Sequence, residues 1–256
     1  MSGDGCAAGT PPQPFDPIIV DAYEGDDERV HLHWEKLCAA GPPWHGAIIK
    51  ATQGRYYSGG AWFQSNWRQI RDVGRHANRP HDWLRGAYHY LDLAIDPILQ
   101  ASYFIGVIER AGGFAPSDII AVDVERAGQR ASISAAQAID SVSKFSEAIA
   151  ARTGHYTVLY GGSYLRELGI RERMGCRYLW MARYSAYLSR SVYERMGWDG
   201  DSLMMWQYAG ITGSGQVQSA LRTPAGELYP TSAPGIGDLD CSAFVLPGGL
   251  NALIAG

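Results

Sequence analysis

Short runs of branched and aromatic residues alternate along this chain with longer stretches whose apolar residues recur every three or four positions. Eight short runs stand out: PIIVDAY (17–23), GAIIKAT (46–52), LRGAYHYL (84–91), DIIAVDVE (118–125), YTVLYGG (156–162), RYLWMARY (177–184), LMMWQYAG (203–210) and GDLDCSAF (237–244). Near-continuous apolarity over five to eight residues predicts strands covered on both faces. The longer stretches read as helices. In SAAQAIDSVSKFSEAIAARTGH, Ser134 and Gln137 form a capping box, Ile139, Val142, Phe145 and Ile149 trace one face, and Gly154 suits the C-terminal cap. PILQASYFIGVIERAGG behaves alike, with Pro97 early, Phe104, Val107 and Ile108 inward, and Gly112 at the stop. Between the last three runs the intervals are short or rich in Gly and Pro, so helices there are weak or absent.

Strands alternating with helices predict an α/β fold with a parallel sheet, and eight such strands suggest a closed β/α barrel degraded in its last third. A doubly wound open sheet is the alternative, but no G-x-G-x-x-G follows the first strand. We expect a flexible arm at residues 1–16, which are Gly, Pro and small polar residues, followed by a single domain over 17–256.

Composition narrows the partners. A net charge of −4 with scattered Lys and Arg offers no field for a nucleic-acid backbone. The 8 Trp and 15 Tyr suit a carbohydrate cleft or a core equally. Cys6, Cys38, Cys176 and Cys241 lie far apart and read as small buried hydrophobes. His31 and His33 lack a third ligand at a known spacing, so no metal and no cofactor are expected. No secretory signal and no membrane-spanning apolar run are visible, so membrane insertion is not expected.

In a β/α barrel, reactive groups gather where strands end. The strand ends here carry Asp21, Lys50, Tyr88 with His89, Asp123 with Glu125, Tyr160, Trp180 with Tyr184, Trp206 with Gln207 and Tyr208, and Asp240. Residues i and i+2 of a strand share a face with Cα atoms ~6.5 Å apart, so Asp123 and Glu125 can both face one mouth. We expect the deeper carboxylate, Asp123, to be held ionised by hydrogen bonds, and Glu125 to be pushed towards its protonated form. That division suits cleavage of a glycosidic bond. Helix capping or metal binding is the plainer use of strand-end acids, and Trp180 and Trp206 alone would read as barrel core.

The ordered motifs resemble those of the glycoside hydrolase family 25 lysozymes, which are N-acetylmuramidases. VDAY (20–23), AIIKATQG (47–54), FQSN (63–66), GAYHY (86–90), QASYF (100–104), VDVE (122–125), VLYGG (158–162), LWMARY (179–184), WQY (206–208) and LDCSAF (239–244) follow the family's order over about residues 17 to 246. The resemblance implies a modified TIM-type barrel of five β/α units and three trailing strands. It implies hydrolysis of the β-1,4 bond between N-acetylmuramic acid and N-acetylglucosamine in bacterial peptidoglycan. Glu125 would be the proton donor, Asp123 would orient the substrate's own acetamido group, and Asp21 and Asp240 would complete an acidic floor. Lys50, Tyr88, Tyr160, Trp180, Tyr184 and Gln207 would hold sugar.

Several positions depart from the family pattern. The Ser and Gln that follow the family's first Asp are missing from DAYEGDDERVHLHW, Gln53 replaces the Glu of A-T-E-G, and Gly59 or Gly60 replaces an Asp. Ser242 stands for Asn, and RTPAGELYPTSAPG (222–235) is inserted, in a place expected near the mouth. These changes keep two other readings open: a non-catalytic cell-wall-binding or virion structural module, and a hydrolase of another N-acetylated glycan such as chitin. With neither a secretory signal nor a repeat-type wall-binding domain visible, the expected setting is a phage lysin. It would be released through a membrane pore, or carried on the virion with other virion proteins as partners.

Overall fold

A computed structural model describes residues 17–26, 32–77, 83–127, 129, 132–212, 216–222, 226–233 and 235–245 of the chain. The arm expected at 1–16 lies outside them. Seven strands run parallel side by side: β1 (Ile18–Ala22), β2 (Trp44–Gln53), β4 (Leu84–Tyr90), β5 (Ile119–Asp123), β6 (Thr157–Gly161), β7 (Tyr178–Ala182) and β8 (Leu203–Ile211). The eighth, β12 (Asp240–Phe244), runs antiparallel between β8 and β1 and closes the barrel. The fold is therefore a modified TIM-type barrel, with its last strand reversed. Short strands β3 (Tyr57–Ser58), β9 (Val217–Ser219), β10 (Ser232–Ala233) and β11 (Gly237–Asp238) decorate it.

The reversal corrects one expectation. Asp240 was read as the end of a strand, yet it begins β12. No described helix separates β8 from β12, so nothing carries the chain back to the far end of the barrel. A strand that starts at the mouth can only return antiparallel, whereas a parallel neighbour needs a long crossover. Asp240 reaches the mouth all the same, from the other end of its strand.

The helices form where the periodicity placed them. In α3 (Pro97–Arg110), Asp96 Oδ1 accepts from the Ile98 and Leu99 amides, with Pro97 opening the first turn. Phe104, Val107 and Ile108 are buried. In α4 (Ala135–Thr153) the Ser134–Gln137 box is formed and Gly154 takes φ 75° as the cap, a conformation cheap only for residues without a Cβ. The remaining helices are α1 (Trp34–Ala39), α2 (Gly60–His76), α5 (Ser163–Glu167) and α6 (Arg190–Glu194). The five-residue α6, between β7 and β8, is the thin crossover foreseen among the last three runs. The equally short α5, between β6 and β7, shows that the helices thin one interval earlier than expected. None of the described helices is long and apolar enough to cross a membrane.

Strand alternation splits the apolar residues into two layers. Outward-facing Val20, Ile49, Ile120 and Leu159 pack under the helices. Inward-facing Ile19, Ile48, Ile119, Val158, Trp180 and Phe244 fill the barrel. Gly86 lets β4 join the inner layer, since a Cβ there would fall 2.7 Å from Ile48 Cγ1 and 3.0 Å from the Ile119 carbonyl oxygen. Beneath the helices, Arg85 donates to both Asp118 oxygens at 2.9 and 2.6 Å and lies 3.6 Å from the Trp67 ring centroid.

The described part of the 222–235 insertion packs on the outer face of β8. Tyr229 and Ala233 are buried in the outer layer, and the Pro230 carbonyl accepts the Tyr208 hydroxyl at 2.5 Å. None of its described residues lines the cavity at the mouth.

Candidate active site

Eight of the ten residues singled out in the sequence line one cavity of about 220 Å³ at the C-terminal mouth of the parallel strands. They are Asp21, Lys50, Tyr88, Asp123, Glu125, Tyr160, Trp180 and Asp240. Their convergence follows from pleating: each sits on the inward parity of its strand, one or two steps above the apolar filling. DIIAVDVE shows the pattern on one strand. Ile119 and Ala121 face the barrel, Ile120 and Val122 face the helices, and Asp123 and Glu125 continue the inward row into the cavity.

The floor is organised around one amide. Gln207 Nε2 donates to Asp21 Oδ2 at 3.0 Å and to Asp240 Oδ2 at 3.3 Å. Its Oε1 accepts from the Tyr160 hydroxyl at 2.8 Å and the Tyr184 hydroxyl at 3.0 Å. Both amide hydrogens and both lone pairs are thus used. Gln207 was expected to hold sugar, but it is 1% exposed and has no bonding capacity left, so it braces the acids instead. Asp240 Oδ1 also accepts from the Ile211 amide at 2.7 Å. Burial, with Asp240 next, holds the Asp21 carboxyl well above the usual carboxylate range, and the Gln207 bond opposes them. Ser242, at the family's Asn position, accepts from Trp180 Nε1 at 2.8 Å and fixes that indole, whose ring meets Tyr160 edge-on.

The other side of the cavity pairs two acids with one cation. Burial raises Glu125, and the Lys50 charge partly offsets it. Asp123 is raised well above its usual value by burial and then by Glu125, again with Lys50 opposing. The expectation that hydrogen bonds hold Asp123 ionised is not met: its Oδ1 is buried without a hydrogen-bond partner, and burial with Glu125 favours its protonated form. Lys50 is instead the group that favours its anion. Lys50 Nζ donates to Gln53 Oε1 at 2.7 Å and stands 5.1 Å from the Tyr90 ring centroid and 5.3 Å from that of Tyr57. Burial lowers its own pKa, against the pull of Asp123 and Glu125. Gln53 therefore contacts the lysine without cancelling its charge.

Glu125 lies past the end of β5, yet its main chain is pinned. Its carbonyl accepts from Gln129 Nε2 at 3.0 Å and from the Tyr90 hydroxyl at 3.3 Å, while Gln129 Oε1 accepts from the Leu93 amide. Tyr23 and Tyr90 also line the cavity and were not singled out in the sequence. Both were legible, being two residues beyond Asp21 and Tyr88 on the same face. His89 turns the other way, between Thr52 Oγ1 and Gln100 Oε1 and against Phe145, and burial lowers its pKa to about 3. His31 lies outside the described residues, and His33 is exposed, 3.6 Å from Glu35. Cys38, Cys176 and Cys241 are buried and in no disulfide, and Cys6 lies outside the described residues.

The family model for glycosyl hydrolases family 25 matches residues 20–218. The chain belongs to that family. Family 25 membership agrees with the order of the strand-end motifs along the chain. An uncharacterised protein of Escherichia coli, YegX, is 28% identical over 163 residues, covering 64% of this chain and 52% of YegX. The chain thus spans about half the length of the curated relatives it matches. Among solved structures, a bacterial lysozyme from Streptomyces coelicolor superposes with a TM-score of 0.64 at 21% identity, covering 94% of this chain and 96% of the lysozyme. A muramidase from Acremonium alcalophilum gives 0.62 at 19%, covering 93% and 98%. The catalytic domain of endolysin ply40 from bacteriophage P40 of Listeria monocytogenes gives 0.60 at 14%, covering 94% and 98%. At these identities the likeness is one of fold.

Proposed function

We propose that this chain is a peptidoglycan hydrolase, an N-acetylmuramidase that cleaves the β-1,4 bond between N-acetylmuramic acid and N-acetylglucosamine. The observation that carries this reading is Asp123 beside Glu125 in the cavity, with one buried carboxylate oxygen of Asp123 unpartnered. A buried acceptor without a donor costs about 1–3 kcal/mol, so it favours a ligand that brings an N–H. The acetamido group of an N-acetylated sugar brings one.

Charge then follows from the arrangement. In the empty cavity, burial and mutual repulsion favour a shared proton on the Asp123–Glu125 pair. An acetamido N–H donated to Asp123 stabilises that carboxylate as the anion, which leaves the proton on Glu125. Glu125 gives this proton to the leaving glycosidic oxygen as the bond lengthens. Asp123 holds the acetamido group so that its carbonyl oxygen attacks the anomeric carbon as the glycosidic bond breaks, closing a ring. Water then opens that ring at the anomeric carbon and returns a proton to Glu125, and Lys50 limits the repulsion within the pair. Asp21 and Asp240, fixed by Gln207, face the positive charge that grows on the sugar ring. Tyr88, Trp180, Tyr90 and Tyr23 present ring faces and edges to the saccharide.

Mass spectrometry of digested cell walls tests the reading. Muramic acid at the new reducing ends is expected, and Glu125→Gln should lower turnover by about 10²–10⁴-fold with the fold intact. Glucosamine at the new ends would make the protein a different glycosidase, and wall binding without cleavage would make it a binding module. We further propose a phage setting, a lysin that reaches the wall through a membrane pore or on the virion. The family and the shared fold with a phage endolysin support it, and wall lysis from outside intact cells by purified virions would distinguish the virion-borne form.

A further inference from the structure

A second concavity of about 420 Å³ adjoins the catalytic one, and Glu125 lines both. Its walls come from the C-terminal ends of β5, β6 and β7, and three arginines, Arg126, Arg166 and Arg183, stand on them. This is an unusual concentration of cations in a chain of net charge −4, next to a mouth ringed by carboxylates. The three arginines are not equivalent. Arg126 is engaged, bonded to Glu167 and lying over the Tyr164 ring. The Arg166 and Arg183 guanidinium groups have no acid or hydrogen-bond partner among the described residues. Arg183 is half-buried and its Nε is fully enclosed without an acceptor. Its main chain is held in place all the same, its amide donating to the Gln207 carbonyl and its own carbonyl accepting from Trp206 Nε1 at 2.7 Å.

An enclosed guanidinium nitrogen without an acceptor is costly, and a planar anion supplying two oxygens would relieve it. We propose that this groove is an anion subsite for a charged substituent carried by the glycan, next to the bond that Glu125 attacks. The shared chemistry is an oxyanion. In cell-wall glycan it can come from a carboxylate of the peptide attached to the muramyl residue, or from a phosphodiester on the sugar. The inference rests on the muramidase reading above. It adds that the enzyme distinguishes decorated from bare chains through Arg183 and Arg166.

The test compares kcat/KM on three soluble glycan preparations: intact chains, chains stripped of peptide carboxylates by conversion to amides, and chains stripped of phosphodiester by acid. Arg183→Met retains the apolar stem of the side chain. Arg166→Gln changes an exposed residue and so keeps the experiment valid where Arg183→Met folds poorly. The wild type should prefer intact chains over one stripped form, and either variant should reduce that preference about tenfold, the loss of one charge-assisted bond. Loss confined to the peptide comparison identifies a carboxylate, and loss confined to the phosphodiester comparison identifies a phosphate. Unchanged preferences in both variants overturn the subsite alone, whereas wild-type inactivity on all three preparations overturns the muramidase reading and the subsite with it.

Discussion

Asp21 and Asp240 stand opposite one another in the antiparallel register of β1 and β12, and a single amide, that of Gln207, donates to both. Two carboxylates brought together at a barrel mouth repel, and this pair is tolerable because the amide is oriented by two tyrosine hydroxyls on its far side. Gln207→Leu fills a similar volume but removes both donors and both acceptors. We expect it to cost about 3 kcal/mol in denaturant unfolding, from buried polar groups left unpaired. A loss below about 0.5 kcal/mol, the scale of ordinary surface substitutions, would mean that the amide does not brace the acids.

The same pair gives stability a defined pH dependence. Burial and Asp240 raise the folded-state pKa of Asp21 above its unfolded value. A raised acid stabilises the folded state fully below its unfolded pKa, and that contribution is lost as pH climbs through the folded value. Asp21→Asn removes the penalty. Its Tm should exceed that of the wild type by about 2–4 °C at neutral pH, the scale of 1 kcal/mol in a chain of this size. The advantage should vanish near pH 3–4, around the unfolded value. Thermal scans across pH check the sign, and a wild type more stable than the variant at neutral pH would contradict the burial of this charge.

Gln53 is the departure with the clearest chemical consequence. It accepts from Lys50 without neutralising it, so the lysine charge still acts on Asp123 and Glu125 and lowers both. Gln53→Glu would pair the lysine and add a negative charge, so both acids should hold protons to higher pH. The alkaline limb of the pH profile of kcat/KM, which tracks the proton on Glu125, should move up. Lys50→Met should move it the same way and lower turnover by about tenfold or more, within the usual range for a positioned charge near the reacting groups. A limb that moves down in both variants would show that another group governs it.

The sequence carried most of the site because strand pleating is a strict code. Once Asp123 is placed inward, Glu125, Ala121 and Ile119 must follow, and the same parity on the other strands brings in Asp21, Lys50, Tyr88 and Trp180. Tyr90 and Tyr23 were readable by that rule and lay one step beyond the residues chosen. The direction of β12 was not readable, since an apolar run has the same pattern whichever way it travels. Nor was the role of Gln207: an amide at a strand end can hold sugar or hold carboxylates, and only the insertion of β12 between β8 and β1 brings the two acids to it. Asp123 misled for a similar reason. Proximity to other acids was legible, but the lack of donors around it depends on neighbours far away in sequence.

The acidic strand that leads to the cavity begins with an acid of a different kind. Asp118 opens DIIAVDVE at the opposite end of the barrel, and it is buried with Arg85 in a two-pronged pair that also accepts the Ala115 amide at 2.6 Å. The Arg85 side chain is further committed to the Trp67 carbonyl and ring. Removing one member leaves a charge enclosed without its partner, which typically costs about 3–5 kcal/mol, whereas removing both can be nearly neutral. Arg85→Leu and Asp118→Leu should each cost that amount in denaturant unfolding. The double variant should recover at least half of the summed loss, because the penalty lies in the stranded charge. The turnover of the folded fraction should remain close to wild type in all three, since the pair lies outside the cavity. Strict additivity in the double-mutant cycle would show that the two residues act independently, contrary to the bidentate geometry.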